Sequence, residues 1–317
     1  MTDTQKEVFK TPVNKIRLFE HGAPGSQNLK LTRKYYTEDM PDGRVKHIVQ
    51  NITDPDIVPY IPDGIGNSTD RQRIPAVLII PGGAFRRLVY NFEGEDVAKW
   101  LNSMGIAAFV LECRLPSDEH DNAEDVPLID AMRAMRVIRG RAQEFGIDEA
   151  KIGVMGFSAG GFMAALLSTA YESDVYADYK YKDEYDKLSA RPDFAVCSYP
   201  VISIDDCIEA GKRYMSEEQV LERISDGKAK ILHKYNPDKL VRPDMPPVFI
   251  CETDDDRTTL SENSVGFYMA ARKAGVSAEL HIFRTGGHGY GCGDDFAQTG
   301  EWKVLFTKWI KSIGIIS

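Results

Sequence analysis

From Pro75 onward, short apolar runs recur at 76–80, 106–112, 151–156, 193–199, 247–252 and 278–283. They are apolar nearly throughout rather than alternating, the pattern of strands covered on both faces. Between them the spacing becomes helical. Val97, Trp100, Leu101 and Met104 follow i, i+3, i+4, i+7, as do Trp302, Leu305, Phe306, Trp309 and Ile310. Leu128, Met132, Met135, Ile138, Ala142 and Phe145 predict one continuous helical face. Strands alternating with amphipathic helices predict an α/β domain, a mostly parallel central sheet with helices on both faces. Ahead of it lie β-like runs at Ile16–Phe19, Val45–Ile52 and Ile57–Ile61, separated by turns at Pro41-Asp42-Gly43 and Pro62-Asp63-Gly64. They predict an N-terminal β extension, residues 1–74, packed on a core of residues 75–317. Pro59 lacks an N–H, so its run should be an edge strand or a break.

Composition narrows the field. The 317 residues are 43% apolar and 27% charged, as in ordinary globular proteins, and no linker or repeat divides them. The longest apolar runs, 106–111 and 162–167, fall far short of the ~20 residues of a membrane-spanning helix. Met1–Glu7 is polar and lacks the hydrophobic stretch of an export signal, so a cytoplasmic location is expected. Lys and Arg number 39 against 48 acids, a net charge of −9, which argues against nucleic-acid or anionic-membrane partners. Five irregularly spaced cysteines, three of them (Cys113, Cys197, Cys251) in strand-like runs, suggest buried thiols rather than a disulfide framework. No metal-ligand spacing and no phosphate-binding glycine loop is present, so neither metal nor cofactor is expected. Homo-oligomerisation stays open.

In such sheets chemistry sits beyond the carboxyl ends of the strands. There the chain reads Gly156-Phe157-Ser158-Ala159-Gly160-Gly161, strand to sharp turn to apolar helix. Small residues two positions either side of Ser158 are what a strained elbow needs, because strand and helix pass too close for side chains. Ser158 would stand at a helix N-terminus as a nucleophile. A serine needs a base. Of six histidines only His288 follows a predicted strand within a flexible loop, Gly286-Gly287-His288-Gly289-Tyr290-Gly291. The orienting acid should follow another strand, and the run Asp254-Asp255-Asp256 does. The order Ser, Asp, His is the one α/β-hydrolases use. An oxyanion hole would take the N–H of Ala159 and a second from Gly83 or Ala84 in the loop Pro81-Gly82-Gly83-Ala84-Phe85.

Together with Val97-Ala98-Lys99-Trp100-Leu101-Asn102-Ser103-Met104-Gly105, Ser198-Tyr199-Pro200-Val201-Ile202-Ser203 and Met245-Pro246-Pro247-Val248-Phe249, these motifs resemble α/β-hydrolase esterases. The group is the acetyl-xylan-esterase-like and feruloyl-esterase-like one, related to the hormone-sensitive-lipase and prolyl-oligopeptidase families. The resemblance covers about residues 45–313. It implies the α/β-hydrolase fold and a Ser-His-Asp triad. Its acid is the first of an Asp pair three residues beyond the strand, which falls on Asp255. It also implies substrate contacts from Phe85, Tyr199 and Tyr290. The chain departs from the pattern at Ala84, where a third glycine is usual, and at Asp254, Thr259-Leu260 and Cys113-Arg114. Arg114 reads as a structural ion-pair partner.

The resemblance implies a serine esterase removing acetyl or other short acyl groups from small-molecule or oligosaccharide esters. A prolyl-oligopeptidase-like peptidase would need a gating domain, and ~74 residues are too few for a propeller. A non-catalytic module would have lost part of the triad. A general short-chain carboxylesterase is the remaining alternative. Residues 171–190, acidic, lysine-rich and tyrosine-studded, are expected to cover the site, or else to dock as a surface helix through Tyr181, Tyr185 and Leu188.

Overall fold

The computed structural model describes residue 9 and residues 13–65, 73–213, 216, 218–219, 228–293 and 298–317; the polar start Met1–Glu7 lies outside them. The described strands are β1 (Ile16–Arg17), β2 (Lys34–Asp39), β3 (Val45–Gln50), β4 (Asp56–Tyr60), β5 (Ile74–Ile80), β6 (Leu88–Val89), β7 (Ala107–Glu112), β8 (Ile147–Phe157), β9 (Ala195–Ser198), β10 (Val248–Thr253) and β11 (Ala278–Phe283). The helices are α1 (Asp96–Ser103), α2 (Val126–Gly140), α3 (Ala142–Phe145), α4 (Ala159–Ala170), α5 (Ile204–Lys212), α6 (Lys228–Lys234), α7 (Ser261–Lys273) and α8 (Glu301–Ser312). No described helix is long and apolar enough to cross a membrane.

Eight strands form one sheet in the order β1-β4-β7-β5-β8-β9-β10-β11. From β7 to β11 all neighbours are parallel, and β4 and β1 close the other edge antiparallel. The central strands are buried along their length, as their unbroken apolar runs require. This is the α/β-hydrolase fold, with the carboxyl ends of β5, β8, β9, β10 and β11 along one rim.

The boundary expected at residue 74 does not divide the sheet. β1 and β4 belong to it, and only β2, β3 and the later β6 form a separate antiparallel sheet. A charged cluster ties the two parts together. Lys15 Nζ lies 2.6 Å from Glu112 Oε1, and Arg33 Nη1 lies 2.6 Å from both Asp56 Oδ2 and Glu112 Oε2. β2 reads Lys-Tyr-Tyr-Thr-Glu-Asp, without the apolar run that marks a covered strand, and periodicity overlooked it. Pro59 sits in β4 where expected, since β1 pairs only with Asp56 and Ile57 and leaves the rest an edge.

The single helical face expected from Leu128 to Phe145 is interrupted. α2 ends at Gly140, and Arg141 separates it from α3. A Cβ on Gly140 would sit 2.3 Å from the Tyr185 ring and 3.0 Å from Leu188. That contact also relocates residues 171–190. They fold as turns with a short 3₁₀ segment at Glu184–Lys187 and dock on α2, not over the strand carboxyl ends. Arg133 Nη1 bonds Asp183 (2.7 Å) and Asp186 (3.0 Å), and Arg136 bonds the Tyr176 hydroxyl. The docking alternative describes the placement of Tyr185 and Leu188, whereas Tyr181 stays exposed beside His21.

Candidate active site

The elbow after β8 is built as its glycines require. Ser158 has φ 53° and ψ −118°, a conformation an L-residue holds only under constraint. A Cβ on Gly156 would lie 1.9 Å from the Gly160 carbonyl oxygen, and one on Gly160 would lie 1.9 Å from that of Ile80. Ser158 N–H donates to the Ser198 carbonyl at 3.0 Å, pinning the elbow to β9. The hydroxyl therefore stands at the start of α4, nearly buried.

His288, on the loop after β11, brings Nε2 to 2.9 Å from Ser158 Oγ. Its other nitrogen, Nδ1, lies 2.6 Å from Asp256 Oδ2, with Thr259 Oγ1 at 3.2 Å. The expected acid, Asp255, is not in this row. Its Oδ1 accepts the Gly287 N–H at 2.8 Å, holding the histidine loop by its backbone, and the residue is exposed. The reason lies in the strand end. β10 runs to Thr253, one residue past the apolar run, so three residues beyond it is Asp256. A turn then drives Asp256 inward, where its carboxylate accepts the N–H groups of Thr258 (2.7 Å) and Thr259 (2.9 Å) and the Thr259 hydroxyl (3.0 Å). Asp-x-x-Thr, an acid followed by a hydroxyl three residues on, was the available signal for that turn.

Burial pushes the Asp256 carboxyl up, but the bond and charge of His288 and the two threonine N–H groups outweigh it and hold it below the usual carboxylate range. Behind it, burial and the Asp256 charge push Glu252 well above its ordinary value, so the acid nearest the histidine is the ionised one.

The loop after β5 is strained. Gly83, Ala84 and Phe85 have φ of 137°, 58° and 59°. A Cβ on Gly83 would lie 2.1 Å from the Arg87 carbonyl oxygen. Among the described residues nothing accepts a hydrogen bond from the N–H of Gly83, Ala84 or Ala159. Ala159 opens α4, where an N–H has no partner within the helix.

The residues expected to contact substrate separate. Phe85 packs edge-on to Phe162 and, with Ile80, Leu88, Leu115, Pro116 and Met163, lines a small apolar recess beside Gly82 and Ala159. Tyr199 and Tyr290 are instead buried behind the histidine, their rings 4.5 Å apart and Tyr199 edge-on to His288 at 5.0 Å. Neither ring reaches the open face. Arg114 is wholly buried in a pair with Asp130 (2.6 Å) and bonds the Ser26 hydroxyl (2.8 Å), the ion-pair role expected of it. Sequence patterns did not single out Glu93, a buried acid whose carboxylate receives the Gly82 N–H and the Tyr199 hydroxyl. The described side chains hold no group of three acids, cysteines or histidines that could bind a metal.

Known proteins share this arrangement of elements. The chain is 31% identical over 240 residues, 75% of its length, to an acetylxylan esterase of Xylanibacter ruminicola, of which it covers 45%. It is 31% identical over 227 residues to endo-1,4-beta-xylanase B of Butyrivibrio fibrisolvens, covering 71% of this chain and 34% of that protein. The chain therefore spans less than half the length of these curated relatives. The crystal structure of an acetyl ester-xyloside bifunctional hydrolase from Caldicellulosiruptor lactoaceticus superposes with a TM-score of 0.67 at 38% identity, over 83% of this chain and 90% of that one. An esterase of Thermogutta terrifontis shares the fold at 24% identity and a TM-score of 0.64, over 93% and 96% of the two chains. The BD-FAE family model matches residues 65–270, from before the oxyanion-type loop through the elbow and the acidic run. The chain belongs to the BD-FAE family.

Proposed function

We propose that the protein is a serine carboxylic-ester hydrolase that removes acetyl or other short acyl groups from carbohydrate esters. The observation that carries this reading is the continuous row Asp256–His288–Ser158, with contacts of 2.6 and 2.9 Å. His288 Nε2 takes the proton from Ser158 Oγ as the hydroxyl attacks the ester carbonyl. Asp256, ionised and anchored by threonine N–H groups, orients Nδ1–H and stabilises the imidazolium. The tetrahedral oxyanion receives the N–H of Ala159 and that of Gly83 or Ala84. The imidazolium then gives its proton to the leaving sugar oxygen, and the acyl group stays on Ser158. A water deprotonated by His288 attacks the acyl-enzyme, releasing the carboxylic acid and restoring Ser158.

Two observations support the short acyl group and the sugar. The apolar recess beside Ala159 and Gly82 admits about one water-sized sphere, which suits a methyl-sized group better than a long chain. The relatives named for acetylxylan and acetyl ester-xyloside substrates supply the carbohydrate half. A fluorophosphonate probe followed by peptide mapping should label Ser158 and leave Ser158→Ala unlabelled. A series of 4-nitrophenyl esters, run beside acetylated xylo- and manno-oligosaccharides and amide controls, tests specificity. Greater kcat/KM on octanoate than on acetate would sink the short-acyl reading. No acetate release from any sugar ester would leave a general carboxylesterase, and cleavage of the amides would favour a peptidase.

A further inference from the structure

Glu93 lies in the helical turn Asn91–Glu95 just before α1, buried, and is not itself a member of the Asp256–His288–Ser158 row. Its Oε2 accepts the Gly82 N–H at 2.8 Å, in the loop that carries Gly83 and Ala84. Its Oε1 accepts the Tyr199 hydroxyl at 2.9 Å. The Tyr199 oxygen in turn accepts the N–H of Gly291, on the loop that carries His288, at 3.0 Å. One carboxylate thus ties the oxyanion-type loop to the histidine loop through a single tyrosine.

Three features separate this from an incidental buried acid. Both carboxylate oxygens face donors, which suits the ionised form; a glutamine would turn an N–H₂ toward one of them. The tie is made against the nucleophile, since a Cβ on Gly82 would stand 2.6 Å from Glu93 Oε2 and 2.9 Å from Ser158 Cβ. And Tyr199 is held at φ 37°, a strained conformation that needs its partners, with its ring edge-on to His288.

We propose that Glu93 is a positioning residue for ester hydrolysis: its carboxylate fixes the oxyanion loop relative to the histidine loop and lends negative charge to the imidazolium that forms on His288. The proposal rests on the esterase reading above. Burial pushes the Glu93 carboxyl above its ordinary value, and the His288 charge, the Tyr199 and Gly82 hydrogen bonds and the positive Lys46 on β3 offset only part of that rise. Glu95 and Asp96 follow Glu93 on its own segment. Around His288 stand Asp256, with the raised Glu252 behind it, the Thr259 hydroxyl and Tyr199. Glu93 reaches this group through Tyr199, whose hydroxyl it accepts and whose ring lies edge-on to His288.

The test measures kcat, KM and the pH profile for 4-nitrophenyl acetate with the full-length protein and the variants Glu93→Gln, Glu93→Asp and Tyr199→Phe. Glu93→Gln should lower kcat by up to about 10²-fold, the low end of what loss of an oxyanion donor costs, because the donor loop is loosened rather than removed, with KM within about threefold. Its acid limb should move to lower pH by roughly half a unit, because a negative charge that favours imidazolium is gone. Tyr199→Phe keeps that charge and should lower kcat without moving the limb. Glu93→Asp keeps the charge but withdraws the carboxylate, so it too should lower kcat with the limb in place. A Glu93→Gln profile that loses kcat with an unmoved acid limb reduces Glu93 to a structural buried acid and overturns the charge role. Should Glu93→Gln fail to fold, a Glu93→Asp enzyme with wild-type kcat overturns the proposal. A wild-type protein without esterase activity, or unlabelled at Ser158, would instead overturn the esterase reading itself.

Discussion

Asp256 Oδ2 approaches His288 Nδ1 to 2.6 Å while the same carboxylate accepts the N–H groups of Thr258 and Thr259. The acid is thereby held on both sides, by its own turn and by the imidazole it orients. Its neighbour Asp255 points the other way and grips the backbone of Gly287. Adjacent carboxylates therefore act on one loop by different means, one on the ring and one on the chain.

Exchange of each to asparagine separates the two roles. Asp256→Asn should cost about 10³- to 10⁴-fold in kcat, because the amide no longer fixes the tautomer or supports the imidazolium. Asp255→Asn retains an oxygen for the Gly287 N–H and should cost less than roughly tenfold. Steady-state kinetics on 4-nitrophenyl acetate decide. The reverse ranking would place the acid at Asp255 after all.

The small apolar recess makes a prediction about chain length. Met163 is buried and forms part of its wall beside Phe85 and Leu115. Met163→Ala should raise the ratio of kcat/KM for butyrate over acetate by about tenfold, the scale of one or two methylenes in an apolar pocket. An unchanged ratio would mean that the acyl group lies elsewhere.

Two glycines of opposite surroundings test the packing account. Gly160→Ala would push a Cβ against the Ile80 carbonyl, backbone that cannot swing aside, and should destabilise by about 3 kcal/mol or more, or prevent folding. Gly266, within α7, has open space around its missing Cβ. Gly266→Ala should stabilise by about 0.5–1 kcal/mol. Urea unfolding of the two variants checks both signs.

His120 gives the fold a pH dependence of its own. Burial and the nearby Arg114 charge depress it to about 4 from 6.5, and its Nδ1 bonds the Ser26 hydroxyl at 3.0 Å. The unfolded chain binds this proton below about 6.5, whereas the folded one does so only near 4, so folded stability is intact above 6.5 and is lost as pH falls between those values. The contribution reaches roughly 3 kcal/mol at the acid end. His120→Gln should flatten the stability profile across that window. Equal slopes in the two proteins would show that His120 does not titrate with folding.

Much of this protein was legible along the chain because the relevant physics is local. Apolar runs unbroken by alternation specify doubly covered strands, and the strand-like runs at 76–80, 106–112, 151–156, 193–199 and 247–252 lie in the central sheet, with the alternating, half-buried 278–283 at its edge. The elbow was readable because its small residues flank Ser158 in a five-residue pattern, although only the crowding at Gly156 is local and that at Gly160 comes from the Ile80 carbonyl on β5. His288 stood out because its glycine-rich loop follows a strand. Tertiary structure decided what depends on groups distant in sequence. Which of three consecutive aspartates turns inward hung on a strand that runs one residue longer than its apolar run, held there by the pairing of Thr253 with Phe283 on β11. Where residues 171–190 lie was set by Tyr185 seating on Gly140, some 45 positions upstream. The role of Glu93 could not be read from its neighbours, because its partners Gly82, Tyr199 and, through the tyrosine, Gly291 meet only once the ends of β5, β9 and β11 share one rim. Side-chain hydrogen bonds across such distances leave no periodic trace in a sequence; they exist only after the sheet has brought their loops together.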